Sequence, residues 1–377
     1  MKKIVAASDS FKGSLTSLQV ADAVEQGVHD VFPSCETLKV NVADGGEGTV
    51  ESLKRILGGN DVQITVCDPL GKPVNILYTI LGDSRTAVLE MSSASGLTLL
   101  QPHERNPLLT STYGTGQIIA DAMSKGCRRF LVGIGGSATN DAGMGMMSAL
   151  GCRFLDSEGN VLEGRGEDMI KVRNVDMSGF LPGLADSEFI VACDVDSPFC
   201  GKEGAAYVFA PQKGADDHMV MELDAGLENM ADIIRKVTGK DIRNVPGAGA
   251  AGGLSGAFHA FMNAKLQRGA EMILDAVGFD DMIKGADLVI TGEGCVDNQT
   301  LTGKLPYVVM QHCVKAGIPV AVIGGSVNLD KDCDIQGFDF IMPVTPSDME
   351  LSDAMDPQIA YVNVRNAIQK LLKTNLL

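Results

Sequence analysis

Residues 131–145, LVGIGGSATNDAGMG, decide which kind of α/β fold the chain adopts. Gly133, Gly135 and Ala138 follow an apolar run in G-x-G-x-x-A spacing, which is typical of a dinucleotide-binding turn. In that fold, an acidic residue at the end of a second parallel strand binds the ribose. The acid at that distance is Asp156, and the sequence LDSEGNVLE around it predicts a β-hairpin. An acid in an antiparallel turn is misplaced for a ribose, so the glycine spacing alone does not indicate a nicotinamide site.

The same turn also has the composition of a helix start. Ser137, Thr139 and Asn140 are preferred N-cap residues, and backbone amides at a helix N-terminus attract anions. Two alternatives stay open from this stretch: the polar residues only cap a helix, or the turn binds a phosphate. In the second alternative, the binding residues are Gly135, Gly136, Ser137 and Asn140.

The rest of the chain alternates short apolar runs with amphipathic segments of helical length. KIVAAS and TLKVNVA near the start, and ADLVITG, PVAVIGGS and DFIMPVT from residue 286 onward, predict strands of a mostly parallel sheet. Between them, DVQITVCDP, LGKPVNILYTIL and RTAVLEMSSA indicate an antiparallel meander. We therefore expect an α/β protein of two domains. Residues 1–60 plus 285–377 form a flavodoxin- or Rossmann-like domain from both chain ends, and residues 61–284 form an inserted mixed α/β domain.

Composition and charge restrict the class of ligand. A formal net charge of −17 disfavours non-specific binding to nucleic acid and to anionic membranes. The nine cysteines form no C-x-x-C pair, which is typical of reduced thiols in a cytoplasmic protein. The sequence also lacks a signal peptide and a run of about 18 apolar residues. We expect a cytoplasmic protein that binds small molecules, with no nucleic-acid or membrane partner and with a homo-oligomer left open.

Three further turns place lysines, hydroxyls and carboxylates at predicted strand ends. Their candidate residues are Ser10, Lys12 and Ser14 in ASDSFKGS, Asp44 and Glu47 in VADGGEGT, and Glu293, Asp297, Gln299, Thr300 and Lys304 in VITGEGCVDNQTLTGK. The carboxyl ends of parallel strands form the edge where α/β folds bind ligands. Lysines and amides suit phosphate oxygens, and carboxylates suit Mg²⁺, so the turns together supply the groups that phosphoryl transfer needs. The Walker A motif and the H-R-D and D-F-G motifs of protein kinases do not occur.

Five residues are candidates for catalysis or metal binding, each with a simpler alternative. Lys12 contacts a phosphate or an acid substrate, or it is a solvated lysine. Asp44 and Glu47 hold Mg²⁺ or accept the proton of the acceptor hydroxyl, or they cap a helix and favour its dipole. Asp194 and Asp196 are two residues apart in the extended run ACDVDSP, so their side chains are predicted to face the same side. There they share a metal ion or supply the catalytic base. The alternative is that they lie at a solvated strand end. The catalytic candidates are Lys12, Asp44 and Asp194, and the metal candidates are Asp44, Glu47 and Asp196.

Three other segments carry weaker signals. Glu293, Asp297 and Lys304 form either a metal–phosphate cluster or a solvent-exposed carboxylate pair with a lysine. Lys213 in PQKGA is predicted to be a surface lysine. The glycine-rich residues 245–257, VPGAGAAGGLSGA, need backbone freedom or close approach to another segment, so we expect them to border the site rather than to form a linker.

Seven motifs carry a family resemblance: ASDSFKGSLTS, VADGGEGT, GIGGSATNDAGMG, ACDVDSPFCG, FAPQKGA, GAGAAGG and VITGEGCVDNQTLTGK. In this order, from about residue 3 to about residue 370, the chain resembles the type I bacterial glycerate kinases. It departs from the family pattern at Cys295, where an Arg is expected, and at Ala142, where a Gly is common and a helix is predicted.

The resemblance implies an enzyme with ATP and Mg²⁺ as cofactors, whose site lies in the cleft between two α/β domains. It implies ATP-dependent phosphorylation of glycerate in sugar-acid or glyoxylate breakdown. The sequence does not decide between the 2- and the 3-position, with 2-phosphoglycerate slightly favoured as the product. Two alternatives of other classes remain: an NAD-dependent oxidoreductase that acts on a small hydroxy acid, and a non-enzymatic sugar-acid-binding protein.

Overall fold

The chain divides into two compact units. The computed structural model describes residues 1–40, 42, 53, 54, 56–330 and 336–375. Unit 1 comprises Met1–Ser52 and Ile273–Leu377, and unit 2 comprises Leu53–Met272. The units therefore change over after residues 52 and 272, whereas the sequence places the domain boundaries after residues 60 and 284.

Thirteen strands and a set of helices make up the described part of the chain. The strands are β1 (Lys3–Ala6), β2 (Glu36–Lys39), β3 (Gly59–Cys67), β4 (Pro73–Leu81), β5 (Thr86–Glu90), β6 (Arg129–Gly133), β7 (Arg153–Leu155), β8 (Asn174–Asp176), β9 (Glu188–Ala192), β10 (Lys265–Gln267), β11 (Leu288–Asp297), β12 (Val320–Asn328) and β13 (Phe340–Pro343). The α-helices span Ser17–His29, Ser92–Ser95, Tyr113–Ser124, Met144–Ala149, Ala205–Phe209, Asp217–Thr238, Leu254–Met262, Gly269–Val277, Phe279–Met282, Leu305–Ala316, Leu351–Ala354 and Pro357–Asn375. Within these described residues, no helix is both long enough and apolar enough to cross a membrane.

Unit 1 is built on a parallel sheet with strand order β13-β12-β11-β1-β2. All four strand pairs in it are parallel, which confirms the predicted sheet made from both chain ends. From β1 the chain continues to β2 on one side, while β11 lies on the other side and is followed outward by β12 and β13. The strand order therefore reverses between β1 and β11. In open α/β sheets, ligands bind at such a switch point, outside the carboxyl ends of the strands.

The helix Ser17–His29 shows how the sequence supports this sheet. It begins at the N-cap Thr16, whose side chain accepts the N–H of Gln19 at 3.3 Å while Oε1 of Gln19 accepts the N–H of Thr16 at 2.9 Å. Such a capping box stabilises a helix by about 1 kcal/mol. The apolar stripe of the helix belongs to the same buried cluster as the helix Pro357–Asn375 and one face of the sheet. That stripe consists of Val20, Val24 and Val28.

Strands β11 and β12 pair over a longer stretch than their neighbours do. Their pairing continues to Asp297 and Asn328, whereas β1 pairs with β11 only as far as Ile290 and β13 pairs with β12 only as far as Gly324. Beyond Gly324, the two strands continue as a two-stranded parallel ribbon. The last residues of β11 are therefore positioned by regular hydrogen bonding rather than by a loop.

Unit 2 is built on a mixed sheet with strand order β10-β9-β6-β5-β4-β3. The pairs β3–β4 and β4–β5 are antiparallel, which confirms the meander, and the remaining pairs are parallel. Phe130 and Phe189 stack in its core with ring centroids 4.6 Å apart. The prediction of a mixed α/β domain is therefore confirmed.

The structure also confirms the hairpin that follows β7. Leu155 and Val161 form an antiparallel bridge, and the carboxylate of Asp156 accepts the backbone N–H groups of Glu158 at 2.8 Å and Asn160 at 2.9 Å. Asp156 therefore closes a turn instead of ending a second parallel strand. The glycine turn of residues 131–145 has no ribose-binding acid at this position.

Candidate functional site

A pocket of about 520 Å³ lies in unit 1 at the carboxyl ends of β1, β11 and β12. Its volume falls in the range of about 300–1,000 Å³ that is usual for small-molecule sites. It occupies the switch point between β1 and β11, where the topology of the sheet predicts a ligand. Six candidate residues from the sequence line this pocket: Ser10, Lys12, Ser14, Glu293, Asp297 and Lys304.

Two carboxylates, those of Asp9 and Glu293, stand on the same face at the carboxyl edge of the sheet. Ala6 pairs with Ile290, and the N–H of Asp9 donates to the carbonyl of Gly292 at 2.9 Å, which extends the pairing past the end of β1. Asp9 and Glu293 are equally far beyond this register pair, so their side chains project to one face. Both line the pocket, and both are more than nine-tenths buried.

The loop after β1 presents Lys12 at the tip of a tight turn. Phe11 and Leu15 exchange backbone hydrogen bonds of 2.9 and 3.0 Å, which closes the turn, and Oγ of Ser14 donates to the carbonyl of Phe11 at 3.0 Å. Lys12 is exposed and has no hydrogen-bond or ion-pair partner among the described residues. A cation held at the mouth of a pocket without a protein partner is available to an anionic ligand.

Lys304, another lining residue of the pocket, contacts two carboxylates. Its Nζ is 3.2 Å from Oε2 of Glu293 and 3.6 Å from Oδ1 of Asp297. Burial raises the pKa of the Glu293 carboxyl. Burial also lowers the pKa of Lys304, but the Glu293 and Asp297 carboxylates outweigh this effect and raise it overall. Oε1 of Glu293 is buried and has no hydrogen-bond partner within the described part of the chain.

The orphaned oxygen of Glu293 fits a divalent cation. Carboxylate oxygens are the ligands that Mg²⁺ prefers, and proteins commonly supply only one or two of them, with water and substrate phosphates completing the octahedron. Among the described residues, no group of three His, Cys, Asp or Glu is arranged to hold a metal. Glu293 and Asp9, on one face, are therefore a sufficient protein contribution to a Mg²⁺ that a phosphate ligand also binds. Asp44 and Glu47, the other predicted metal ligands of this unit, lie outside the described residues.

Asp297 and Thr300 hold the turn that follows β11. Oδ1 of Asp297 accepts the backbone N–H groups of Gln299 at 2.9 Å and Thr300 at 3.2 Å, and Oγ1 of Thr300 accepts the N–H of Asp297 at 2.9 Å. Thr300 is fully buried, and neither it nor Gln299 lines the pocket. The hydroxyl of Thr300 therefore helps to hold the turn that carries Lys304, and the ligand-binding role expected for Thr300 and Gln299 stays a prediction.

Cys295 lies on the wall of the pocket. Its Sγ accepts a hydrogen bond from Nδ2 of Asn328 at 3.4 Å. Lys12 and Lys304 are the cations that line the pocket in the described residues.

The glycine turn after β6 lies in unit 2 and contains both exposed and buried groups. Gly135 and Gly136 are exposed, whereas Ser137 and Asn140 are buried. Both polar atoms of the Asn140 side chain, and Oγ1 of Thr139, lack hydrogen-bond partners among the described residues. Buried polar groups are normally paired, so these atoms favour a ligand at the turn over simple helix capping.

Lys213 is a residue whose position the sequence predicts wrongly. It is 1% exposed, and its Nζ donates to Oγ of Ser137 at 2.7 Å and to the carbonyl of Thr139 at 2.6 Å. Burial lowers the pKa of Lys213 to about 7, although the Asp141 carboxylate acts in the opposite direction. Lys213 is not a surface lysine, because the 3₁₀ turn Pro211–Lys213 carries it beneath the glycine turn.

Asp141 lies just before the N-cap Gly143 of the helix that follows the turn, and its carboxylate accepts backbone N–H groups at the helix start. It is fully buried, which raises the pKa of its carboxyl, and it accepts hydrogen bonds from the N–H groups of Thr112, Gly143 and Gly145. The helix therefore begins at Met144. The predicted helical position of Ala142 is wrong, because Ala142 precedes the cap and has φ 52°.

The glycine-rich segment of residues 245–257 packs against the same turn. The N–H of Ala142 donates to the carbonyl of Gly252 at 3.0 Å. Gly252 has φ +69°, and a Cβ there would lie 2.2 Å from the carbonyl oxygen of Thr139. Most of the segment is buried, so it is a close-packed support of the turn and not an exposed linker.

Asp194 and Asp196 are arranged differently from the sequence prediction. Strand β9 ends at Ala192, before both residues, so the argument that an extended strand puts them on one side does not apply. Oδ1 of Asp194 accepts the N–H of Gly269 at 2.9 Å, and the carboxylate of Asp196 pairs with Arg268 at 2.6 Å. Asp196 is therefore already neutralised by a cation, which disfavours it as a metal ligand.

Comparison with known proteins connects these features to one family. The sequence profile of the Glycerate kinase family matches residues 4–375. The glycerate kinase of Bacillus subtilis (strain 168) is 44% identical over 361 residues, which cover 96% of this chain and 94% of that protein. The glycerate 2-kinase of Escherichia coli (strain K12) is 42% identical over 99% of this chain and 97% of its own length. A crystal structure of a Salmonella typhimurium LT2 protein, proposed to be glycerate kinase 2, superposes with a TM-score of 0.83 at 42% identity, covering 99% of this chain and 98% of that one.

Proposed function

The chain belongs to the glycerate kinase family, and we propose that it transfers the terminal phosphoryl group of ATP to a hydroxyl of glycerate. In this reaction the hydroxyl oxygen forms a bond to phosphorus, the bond from phosphorus to the oxygen of ADP breaks, and the hydroxyl loses its proton. The observation that carries the proposal is the pocket at the switch point of unit 1, which brings together Lys12, Lys304, Asp9 and Glu293. Phosphoryl transfer needs these cations and carboxylates.

Lys12 and the two carboxylates have distinct roles in this proposal. Lys12 binds a phosphate oxygen, since it is exposed at the pocket mouth and has no partner among the described residues. Glu293 and Asp9 hold Mg²⁺, and the unpaired Oε1 of Glu293 supports that assignment. When bound there, Mg²⁺ would supply positive charge that offsets the negative charge developing during transfer. Lys304 favours the ionised form of Glu293, against the effect of burial, and positions its carboxylate through a 3.2 Å contact.

Other candidate residues keep narrower roles. Ser10 and Ser14 lie beside Lys12 in the pocket and bind phosphate oxygens. Asp194 remains a candidate base, because only its Oδ1 has a hydrogen-bond partner among the described residues. Asp44 remains an alternative base or metal ligand together with Glu47. The amides of Gly135 and Gly136, with Ser137 and Asn140, bind a second anionic group, either a phosphate or the substrate carboxylate.

The position of phosphorylation and the cellular setting complete the proposal. We favour the 2-hydroxyl of glycerate, and the name glycerate 2-kinase of the Escherichia coli relative supports this choice. We also place the enzyme in the cytoplasm, in sugar-acid or glyoxylate breakdown, as the family resemblance implies.

Phosphorus NMR of the reaction products tests the activity and the position together. The protein is incubated with ATP, Mg²⁺ and D-glycerate, and the expected product is 2-phosphoglycerate together with ADP. If the spectrum showed 3-phosphoglycerate, the proposed 2-position would be wrong, but the proposed kinase activity would be supported. Thermal unfolding in the presence of Mg-ATP, NAD or glycerate is the matched binding test, because a ligand of the folded state raises the unfolding temperature. Stabilisation by NAD without stabilisation by Mg-ATP would contradict the proposal.

A further inference from the structure

The pocket of unit 1 has an apolar wall that phosphate binding does not explain. This wall is contributed by the segment between β13 and the last helix, and it includes Val344, Met349, Leu351, Ala354 and Met355. Leu351 is 75% exposed and Met355 is 39% exposed. Large apolar side chains that are exposed and grouped around one pocket indicate a ligand with an apolar surface.

Glycerate does not match this wall. It is a small three-carbon acid in which every carbon carries oxygen, so it offers no apolar face, and a pocket of about 520 Å³ is much larger than it requires. ATP has both parts that the pocket offers, since a flat base buries apolar surface and a triphosphate needs cations. Size and chemistry therefore both favour the nucleotide over the acid substrate.

The apolar wall is in direct contact with the lysine turn. Gly13, next to Lys12, has φ +87°, and a Cβ on it would lie 2.5 Å from Cε of Met355. Met355 therefore packs against the backbone of this turn, and the two parts of the pocket adjoin each other within unit 1. A nucleotide that places its base against Leu351 and Met355 has Lys12 beside it for its phosphates.

We propose that the pocket of unit 1 is the nucleotide subsite, with the adenine ring on the wall formed by Leu351 and Met355 and the phosphates at Lys12. This inference rests on the proposed use of ATP. The carboxylates of Asp9, Glu293 and Asp297 exceed the two lysines in number, so the pocket binds the Mg²⁺ complex of ATP in preference to free ATP.

A tryptophan introduced at the wall is a direct reporter, because the chain has no tryptophan of its own. In Leu351→Trp, we expect the fluorescence to change on addition of Mg-ATP, with saturation, and to stay unchanged on addition of D-glycerate alone. Val314→Trp is the matched control, since Val314 is 57% exposed in the same unit but does not line the pocket. Its fluorescence should respond to neither ligand. A response of Leu351→Trp to D-glycerate but not to Mg-ATP would overturn the assignment.

Steady-state kinetics separate this inference from the proposed function. In Leu351→Asp, we expect the KM for ATP to rise by about tenfold or more, with the KM for glycerate and the unfolding temperature nearly unchanged. Val314→Asp should leave both KM values unchanged. If the wild-type protein phosphorylates glycerate but Leu351→Asp raises only the KM for glycerate, the nucleotide assignment fails and the kinase stands. If the wild-type protein has no kinase activity while Mg-ATP still saturates the Leu351→Trp signal, the function fails and the nucleotide subsite stands.

Discussion

Nζ of Lys213 lies 2.7 Å from Oγ of Ser137 inside unit 2. The same nitrogen donates to the carbonyl of Thr139, so one buried amine holds two positions of the glycine turn. Desolvation disfavours its charged form, and the pKa of Lys213 falls to about 7 from 10.5. The Lys213 amine therefore titrates in the neutral range in the folded protein, whereas in the unfolded chain it titrates near 10.5.

The Lys213 titration predicts a pH-dependent difference in stability between the wild-type protein and Lys213→Met. Between pH 7 and pH 10.5 the unfolded chain binds one more proton at this site than the folded protein does, so wild-type stability rises with pH in this window. We expect the free energy of unfolding of the wild type, minus that of Lys213→Met, to increase by about 1 kcal/mol per pH unit there. Urea denaturation at several pH values measures this difference. If the free energies of unfolding of the two proteins changed with pH in parallel, Lys213 would have an ordinary pKa in the folded protein.

The packing of Gly252 on the turn predicts an unusually costly alanine substitution. Gly252→Ala adds a Cβ 2.2 Å from the carbonyl oxygen of Thr139, at φ +69°. We expect a loss of more than about 3 kcal/mol in the free energy of unfolding, together with reduced activity, because Thr139 and Asn140 must move. The matched control is Gly239→Ala, which has φ +77° but nothing within 4 Å of the added Cβ. It should cost about 1–2 kcal/mol and leave activity unchanged. If the two variants lost equal amounts of free energy of unfolding, the close approach of Gly252 to the Thr139 carbonyl would be contradicted.

Removal of the Lys12 charge tests the phosphate-binding turn. In Lys12→Met, we expect kcat/KM to fall by about a hundredfold or more, because a cation at the transferring group is lost. The unfolding temperature should hardly change, since Lys12 is exposed and has no partner among the described residues. Lys370→Met, at another exposed lysine of the same unit, should affect neither quantity. Wild-type turnover in Lys12→Met would remove Lys12 from the site.

Glu293→Gln tests the metal assignment. The amide keeps the shape of the side chain but binds Mg²⁺ poorly, so we expect the Mg²⁺ concentration for half-maximal activity to rise by at least about tenfold. Glu163→Gln is the control, because Glu163 is a surface residue in unit 2 that pairs with Arg165 at 2.7 Å. Its Mg²⁺ dependence should match the wild type. An unchanged Mg²⁺ dependence in Glu293→Gln would place the metal elsewhere.

Local pattern was sufficient for the sheets. Each strand and each turn of the meander is formed by contiguous residues, so its type could be predicted from the sequence. This holds for the apolar runs of β1, β11, β12 and β13. The grouping of Lys12 with Glu293 and Lys304 followed from the same argument, because parallel strands bring their carboxyl ends to one edge. The position of Asp156 in a hairpin turn could also be predicted, because the short turn sequence around it determines that position.

Non-local packing determined what the sequence prediction missed. Lys213 is buried because its loop packs against residues 137–141, and the local sequence PQKGA does not predict that contact. Ala142 lies outside the helix, and its N–H donates to the carbonyl of Gly252, which is far away in the sequence. For Asp194, the strand ended earlier than its extended sequence suggested. Each of these outcomes depends on partners that a local pattern does not contain.

The division of unit 1 between the two chain ends sets an order of assembly during synthesis. Residues 53–272 leave the ribosome as one continuous segment that contains all six strands of the mixed sheet. At that time, β1 has only β2 as a neighbour, because β11 begins at Leu288. The pocket needs residues from Asp9 to Asn363, so it is completed only when nearly the whole chain has been translated. A chain that stops between Met272 and Leu288 therefore contains every residue of unit 2 but lacks β11 and most of the pocket, and the ability to bind a ligand there requires translation as far as Asn363.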